Sequence, residues 1–307
     1  MAVQEIDRAI FDQQWEQWRL AHERALAAPH GFLSVTGIYW LTATPERFPG
    51  APGEWSTEGE GVKVVLGEGE TLTLDEVGIR GEQVHGEQAH GEQVHGEHRF
   101  EPIPERGDRT VFLGDAAIEI AKRCGHYVLR PRHPDHHLRS NFSGVPTYAP
   151  DPRWAFEARF VAFSAPRPTA VGSVVEGLEH VYDARGQVVF DFEGATLRLM
   201  AFNGHTPGSL MVLFTDATSG TTTYAANRTL ELDAPDEQGN VVLDFNRAVN
   251  LPCAFTDFAT CPLPPAENRL PIAIEAGEKI PYERQSAEGT SRDFRPPVGE
   301  IATESIV

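Results

Sequence analysis

The sequence predicts a mainly β protein: a curved antiparallel sheet closing into a partly open barrel or sandwich, with an N-terminal amphipathic helix packed on it. Three observations carry this reading. They are two-residue apolar alternation through the middle of the chain, turn signals at short intervals, and a single helical stripe at the start.

The stripe consists of Phe11, Trp15, Trp18, His22, Ala25 and Leu26, which fall on one face of a helix that Pro29 and Gly31 end. Tryptophans on such a face are packing residues. From Gly31 onward the pattern is strand and turn. Phe156, Ala158, Phe160 and Ala162 alternate with Glu157 and Arg159; Val188, Phe190 and Phe192 alternate with Val189 and Asp191; Leu197, Leu199 and Ala201 alternate with Thr196, Arg198 and Met200. The unbroken apolar run from Leu210 to Phe214 suits a strand buried on both faces. Turn signals at Asp183 to Gly186, Asn203-Gly204, Asp216 to Gly220 and Asp236 to Asn240 leave no room for crossover helices, so the body is a β meander. A sheet of that extent closes or splits to protect its edges.

A pentapeptide repeat begins at Gly81-Glu82-Gln83-Val84-His85 and recurs to His98. A period of five gathers its imidazoles on one face neither as helix nor as strand, so it reads as a polar, mobile loop. The expected organisation is a helix over 1–30, one β-rich domain over 31–285 with the repeat inserted at 81–98, and a tail over 286–307.

The 307 residues are 40% apolar, enough for a large core, and carry a formal net charge of −19. That field repels phosphate backbones and anionic lipid, which argues against nucleic-acid and membrane partners. Neither a signal-peptide run nor a stretch of ~18 apolar residues is visible, which predicts a cytoplasmic protein. Three cysteines in such a chain point to free thiols, metal ligation or redox use.

Chemistry-bearing residues crowd into the last third of the chain. Leu243 to Arg247 leads to Asn250-Leu251-Pro252-Cys253, then Cys261-Pro262 and Asn268-Arg269, in a segment whose prolines remove backbone donors. Cys253 and Cys261 do not have zinc-knuckle spacing. They read as buried inert thiols, or as a reactive thiol activated by a cation such as Arg247 or Arg269. A second cluster, Arg130-Pro131-Arg132-His133-Pro134-Asp135-His136-His137, offers His133, His136 and His137 as zinc or iron ligands, or as solvated loop residues. A third is the Asp216 to Gly220 turn followed by Tyr224 and Arg228, a hydroxyl and a guanidinium that suit an anionic ligand unless Arg228 pairs with Asp244. No Gly-rich phosphate loop, GxGxxG, HExxH or GxSxG elbow is present, so no nucleotide cofactor is expected.

Asp216-x-Thr-x-Gly-x-x-Thr-Tyr224, Leu243 to Ala248, Asn250-x-Pro-Cys-Ala-Phe255, Ala259-Thr-Cys-Pro-Leu-Pro-Pro265, Glu267-Asn268, Ala276 to Lys279 and Gly31 to Gly37 with Trp40-Leu41 together resemble the domain of unknown function family numbered 1684. The resemblance implies that Asp244, Asn246, Asn250, Cys253, Cys261 and Asn268 form a family signature; it brings no activity with it. Relatives are similar to Tyr-Gly-Gly-Gly-Arg where this chain has Tyr224-Ala225-Ala226-Asn227-Arg228, and they carry an acid in place of His133.

The sequence thus predicts a small-molecule enzyme, of hydrolase or lyase type, with a pocket framed by the loop from Asn246 to Asn268. Cys253, Tyr224 and Asp244 are its candidate catalytic groups, and Arg228, Arg130, Asn246, Asn250 and Asn268 its candidate substrate ligands. A metal-dependent variant puts a divalent ion on His133, His136 or His137. The alternatives are a β-barrel that binds a small ligand without chemistry, and a block that is purely a structural clasp.

Overall fold

The computed structural model describes residues 8–74 and 91–286. Helix α1 (Arg8–Leu26) lies where the stripe places it. Trp15 is buried, Trp18 stacks on His22 with ring centroids 5.7 Å apart, and Leu26 packs with Leu33, Leu138 and Phe255.

Beyond the helix come β1 (Tyr39–Trp40), β2 (Glu46–Phe48), β3 (Ala51–Glu58), β4 (Gly61–Val65), β5 (Leu72–Leu74), β6 (Gln93–Val94), β7 (Glu97–Phe100), β8 (Asp108–Leu113), β9 (Ala116–Arg123) and β10 (His126–Arg132). They form two antiparallel sheets, one ordered β1-β10-β9-β8-β5-β6 and one ordered β2-β3-β4-β7. Trp55, Val64, Ile118, Ile120 and Leu129 fill the space between. The mobile loop expected over 81–98 does not hold for its last part: β6 pairs with β5, and β7 pairs with β4. The reason is burial, since Val94 and Phe100 enter this core and fix the register. Residues 81–90 lie outside the described residues.

A short helix α2 (His137–Ser140) leads to β11 (Ala155–Gly172), β12 (Glu179–Phe192), β13 (Ala195–Asn203), β14 (Leu210–Phe214), β15 (Arg228–Leu232) and β16 (Asn240–Asp244). Their antiparallel order is β15-β14-β13-β12-β11-β16, and β15 comes alongside β16, so the sheet curls into a half-barrel. The register shifts between Ala162 and Arg167 on β11 and between Ala184 and Gly186 on β12. Such bulges sharpen a sheet's twist and let it curl. A Cβ on Gly186 would lie 2.4 Å from the Val161 carbonyl oxygen, so only glycine passes there. Val188 sits opposite Phe160 and Leu199, and Phe190 opposite Leu197; with Val212, Phe214, Leu243 and Phe245 they build the core of the half-barrel.

Candidate functional site

After β16 the chain runs through three 3-10 turns, Phe245–Arg247, Pro252–Ala254 and Ala266–Asn268. This is the signature block, and its polar side chains bind main chain. Asp244 accepts from the Asn246 main-chain N–H at 3.0 Å and from Asn246 Nδ2 at 2.8 Å, capping the first turn. Burial pushes the Asp244 carboxyl up, against the hydrogen bonds from Asn246. Asn246 also accepts from Asp151 N–H at 2.8 Å and donates to Asp151 O at 2.9 Å. Asn268 accepts from Met200 N–H at 2.6 Å and donates to the Met200 and Leu213 carbonyls at 2.9 and 2.8 Å. Asn250 donates to Lys279 O at 2.8 Å, and its N–H reaches Glu278 Oε2 at 2.6 Å. Gly277 makes that approach possible: it has φ +75°, and a Cβ there would sit 2.5 Å from Ala248 O. Asn246 and Asn268, expected to hold substrate, are both buried with their amides engaged by main chain.

Arg228 is likewise committed inward. It is 1% exposed, and its Nη2 lies 2.7 Å from Asp216 Oδ2, the partner in place of the expected Asp244. It also donates to the Ala276 and Ile274 carbonyls, while its buried Nε has no acceptor among the described residues. Tyr224 donates its hydroxyl to Cys253 O at 2.8 Å. Burial, then the neighbouring Cys253, pushes that phenol up to about 12.

The three cysteines gather where β9 and β10 meet the half-barrel. Cys253 N–H donates to Cys261 Sγ at 3.3 Å, and both thiols are buried. Hydrogen bonding to Cys261 and burial raise the Cys253 thiol. Burial also opposes ionisation of Cys261, but the Cys253 thiol and N–H and the Arg130 guanidinium outweigh it and hold Cys261 below its ordinary value. Of the two thiols it is Cys261, eight residues on from Cys253, whose sulfur receives a main-chain N–H, and the cation acting on it is Arg130 rather than Arg247 or Arg269. Arg130 is 2% exposed and faces Glu119 at 2.9 Å, along with Arg123 and Arg132, so one carboxylate answers three guanidiniums. Arg130 Nε finds no acceptor among the described residues.

Cys124, the third thiol, stands at the β9–β10 turn with φ +52°. Its Sγ lies 3.6 Å from His180 Nδ1, and His180 Nε2 lies 2.6 Å from Thr260 O. Since a carbonyl only accepts, Nε2 carries the proton and Nδ1 presents a lone pair to the thiol. Burial, then Glu105, pushes Cys124 up to about 11, and burial lowers His180, so the pair is neutral. Sequence reasoning missed Cys124, His180 and Glu119. The one local signal was the Cys124-Gly125 dipeptide at a hairpin turn where asparagine is the usual first residue.

His133, His136 and His137 do not converge. His136 Nδ1 is held by Leu33 O at 2.8 Å, His133 Nδ1 accepts from Asp135 N–H, and the His136 and His137 rings pack at 4.4 Å. Among the described residues no three His, Cys, Asp or Glu side chains come together as a metal site, and the packed His136 and His137 rings are joined by no third ligand.

Along one side of the block lies an open groove of about 560 Å³ lined by Leu263 and Pro264 of the block and by Thr215, Asp216, Ala225 and Arg269 among others. The segment after Asn268 runs parallel to Thr215, with Leu270 N–H on Thr215 O at 2.8 Å, and forms one wall. Arg269 is exposed at this wall.

A family described as protein of unknown function, DUF1684, matches residues 140–279, which take in the half-barrel, the groove and the whole signature block. The chain belongs to the DUF1684 family. An uncharacterised protein of Haloarcula marismortui, solved by solution NMR, is similar to this DUF1684 chain at 32% identity over 46% of this chain and 79% of that one, with a TM-score of 0.39. No curated protein matches. The thiol seam draws Cys124, Glu119 and Arg130 from outside the matched segment and Cys253 and Cys261 from within it.

Proposed function

We propose that this DUF1684 protein binds a small molecule bearing a carboxylate on an apolar body, and that it does so without bond-making chemistry in the groove. The observation that supports this is the groove's lining. About 560 Å³ is the size of a drug-like ligand site, its walls set alanine, leucine and proline beside Thr215 and Ser219, and Arg269 is an exposed guanidinium in a chain of net charge −19. Asp216, the acid in the lining, is spent on Arg228 and on Thr218. Decanoate is a suitable probe. Calorimetric titration is expected to show binding that Arg269→Gln weakens about tenfold or more, while thermal stability changes little because the side chain is exposed. Equal binding by both proteins, or by neither, removes this reading.

A hydrolase or lyase reading is favoured by a different pair from the expected one, Cys124 and His180, a thiol beside an imidazole whose tautomer leaves Nδ1 as base. Acyl-ester turnover that survives both Cys124→Ser and His180→Gln would sink it. We place the protein in a reducing cytoplasm, in keeping with three unpaired thiols. Among the described residues no helix is long and apolar enough to cross a membrane.

A further inference from the structure

We propose that Cys261 and Cys253 form an oxidisable dithiol whose substrate is hydrogen peroxide, with Cys261 as the attacking sulfur and Cys253 as the resolving one. The inference stands apart from the groove and from any ligand there. It starts from geometry. Cys261 Sγ receives the Cys253 main-chain N–H at 3.3 Å, so the two side chains share one small volume under the Pro252–Ala254 turn. The seam around them is overstocked with positive charge. Arg123, Arg130 and Arg132 converge on the Glu119 carboxylate with Asp108 a further acid that feels all three, and the Arg130 Nε has no acceptor among the described residues.

A buried guanidinium left short of acceptors stabilises an anion beside it. Cys261 is the nucleophile on which the Arg130 charge acts, and it is also the one whose sulfur a main-chain N–H already holds. The other titratable groups facing Cys261 are Cys253 from the turn, Tyr182 from β12 and Tyr224 from the segment before β15. Neither phenol brings a negative charge, since burial pushes both up. Inert buried thiols require no such cation, and they are raised by burial rather than lowered. Of the pair, Cys261 is the sulfur that a main-chain N–H holds, the arrangement that favours its anion.

The chemistry balances with one oxidant. The Cys261 thiolate attacks one peroxide oxygen and the O–O bond breaks. With one proton taken up, hydroxide leaves as water and Cys261 becomes a sulfenic acid. The Cys253 sulfur then attacks the Cys261 sulfur, the S–O bond breaks, and the Cys253 proton leaves with the hydroxyl as a second water. Two thiols become one disulfide, and the two electrons they lose reduce the peroxide. Hydrogen peroxide is close to water in size, which suits a sulfur in a residue that is 6% exposed.

The test exposes the reduced full-length protein to hydrogen peroxide, blocks remaining thiols with iodoacetamide, and maps the peptides by mass spectrometry. The expected product is a disulfide joining Cys253 to Cys261 with Cys124 still alkylated. It should form about tenfold or more faster than oxidation of the same thiols in the urea-unfolded chain, the factor that one pH unit of added thiolate character gives. Cys253→Ala should halt at a Cys261 sulfenic acid that dimedone traps. Arg130→Met should slow the reaction; if that variant does not fold, the wild-type rate should reach half its plateau at a pH below the ordinary thiol value. The proposal is overturned if Cys253 and Cys261 stay alkylatable at peroxide doses that oxidise the unfolded chain, if Cys124 reacts first, or if dimedone finds no Cys261 adduct.

Discussion

The indole N–H of Trp15 donates to the main-chain carbonyl of Asn246 at 2.9 Å, tying the first helix to the signature block across 231 residues of sequence. The same helix reaches that block a second time, where His22 Nε2 meets Glu278 Oε1 at 3.1 Å and Glu278 in turn holds Asn250. Trp15→Phe keeps most of the packing and drops one hydrogen bond, so it should cost about 1 kcal/mol in urea unfolding. Trp15→Ala should cost about 3–5 kcal/mol and release the helix, read as loss of protection in hydrogen exchange over residues 8–26.

Asn268 makes three hydrogen bonds to Met200 and Leu213 from a fully buried position. Asn268→Ala strands those main-chain groups, so a loss on the order of 3–5 kcal/mol is expected. Chemical denaturation measures it. If the residue is instead a ligand contact, binding falls while the denaturation midpoint stays put.

Arg228→Met removes the partner of buried Asp216. Breaking one side of such a pair costs about 3–5 kcal/mol, and a substitution of similar volume isolates the charge from the packing. The expected signature is a lower melting temperature together with weaker decanoate binding in the groove, because the Asp216 carboxylate that lines it loses its counter-charge.

Glu119 sets a pH limit. Burial pushes its carboxyl up, yet Arg130, Arg132 and Arg123 together prevail and hold it at about 2, below the ordinary 4.5. A depressed carboxylate contributes stability that is present above its unfolded value and is lost as pH falls through its folded value. The window is therefore pH 4.5 down to about 2, and the contribution is on the order of 3 kcal/mol. Glu119→Gln should flatten the difference between stability at pH 5 and at pH 3 while lowering stability at neutral pH, as followed by circular dichroism.

Much of the architecture could be read from periodicity. Trp15 and Leu26 declare a helix face, and Val188, Phe190, Leu199 and Ala201 declare strands with one side buried, because each pattern repeats within a few residues and needs no distant partner. The site was harder for a physical reason. An asparagine amide has the donor and acceptor of a peptide group, so the residue that would hold a ligand is chemically the same as one that holds main chain. Asn246 and Asn268 turned out to do the latter. Cys124, His180 and Glu119 carry no mutual spacing in sequence. Their association is made by β9, β10 and β12 meeting in space, which no local window contains.

β13 is hydrogen-bonded along its length to β12, but it meets β14 at Phe202 and Asn203 alone. The remainder of that side is a sheet edge, and the Asn268 amide occupies it at Met200 as if it were one residue of a missing strand. An edge plugged by a side chain cannot recruit a strand from another molecule. The residue that closes the clasp is thereby also a guard against self-association, placed where β14 splays away from β13.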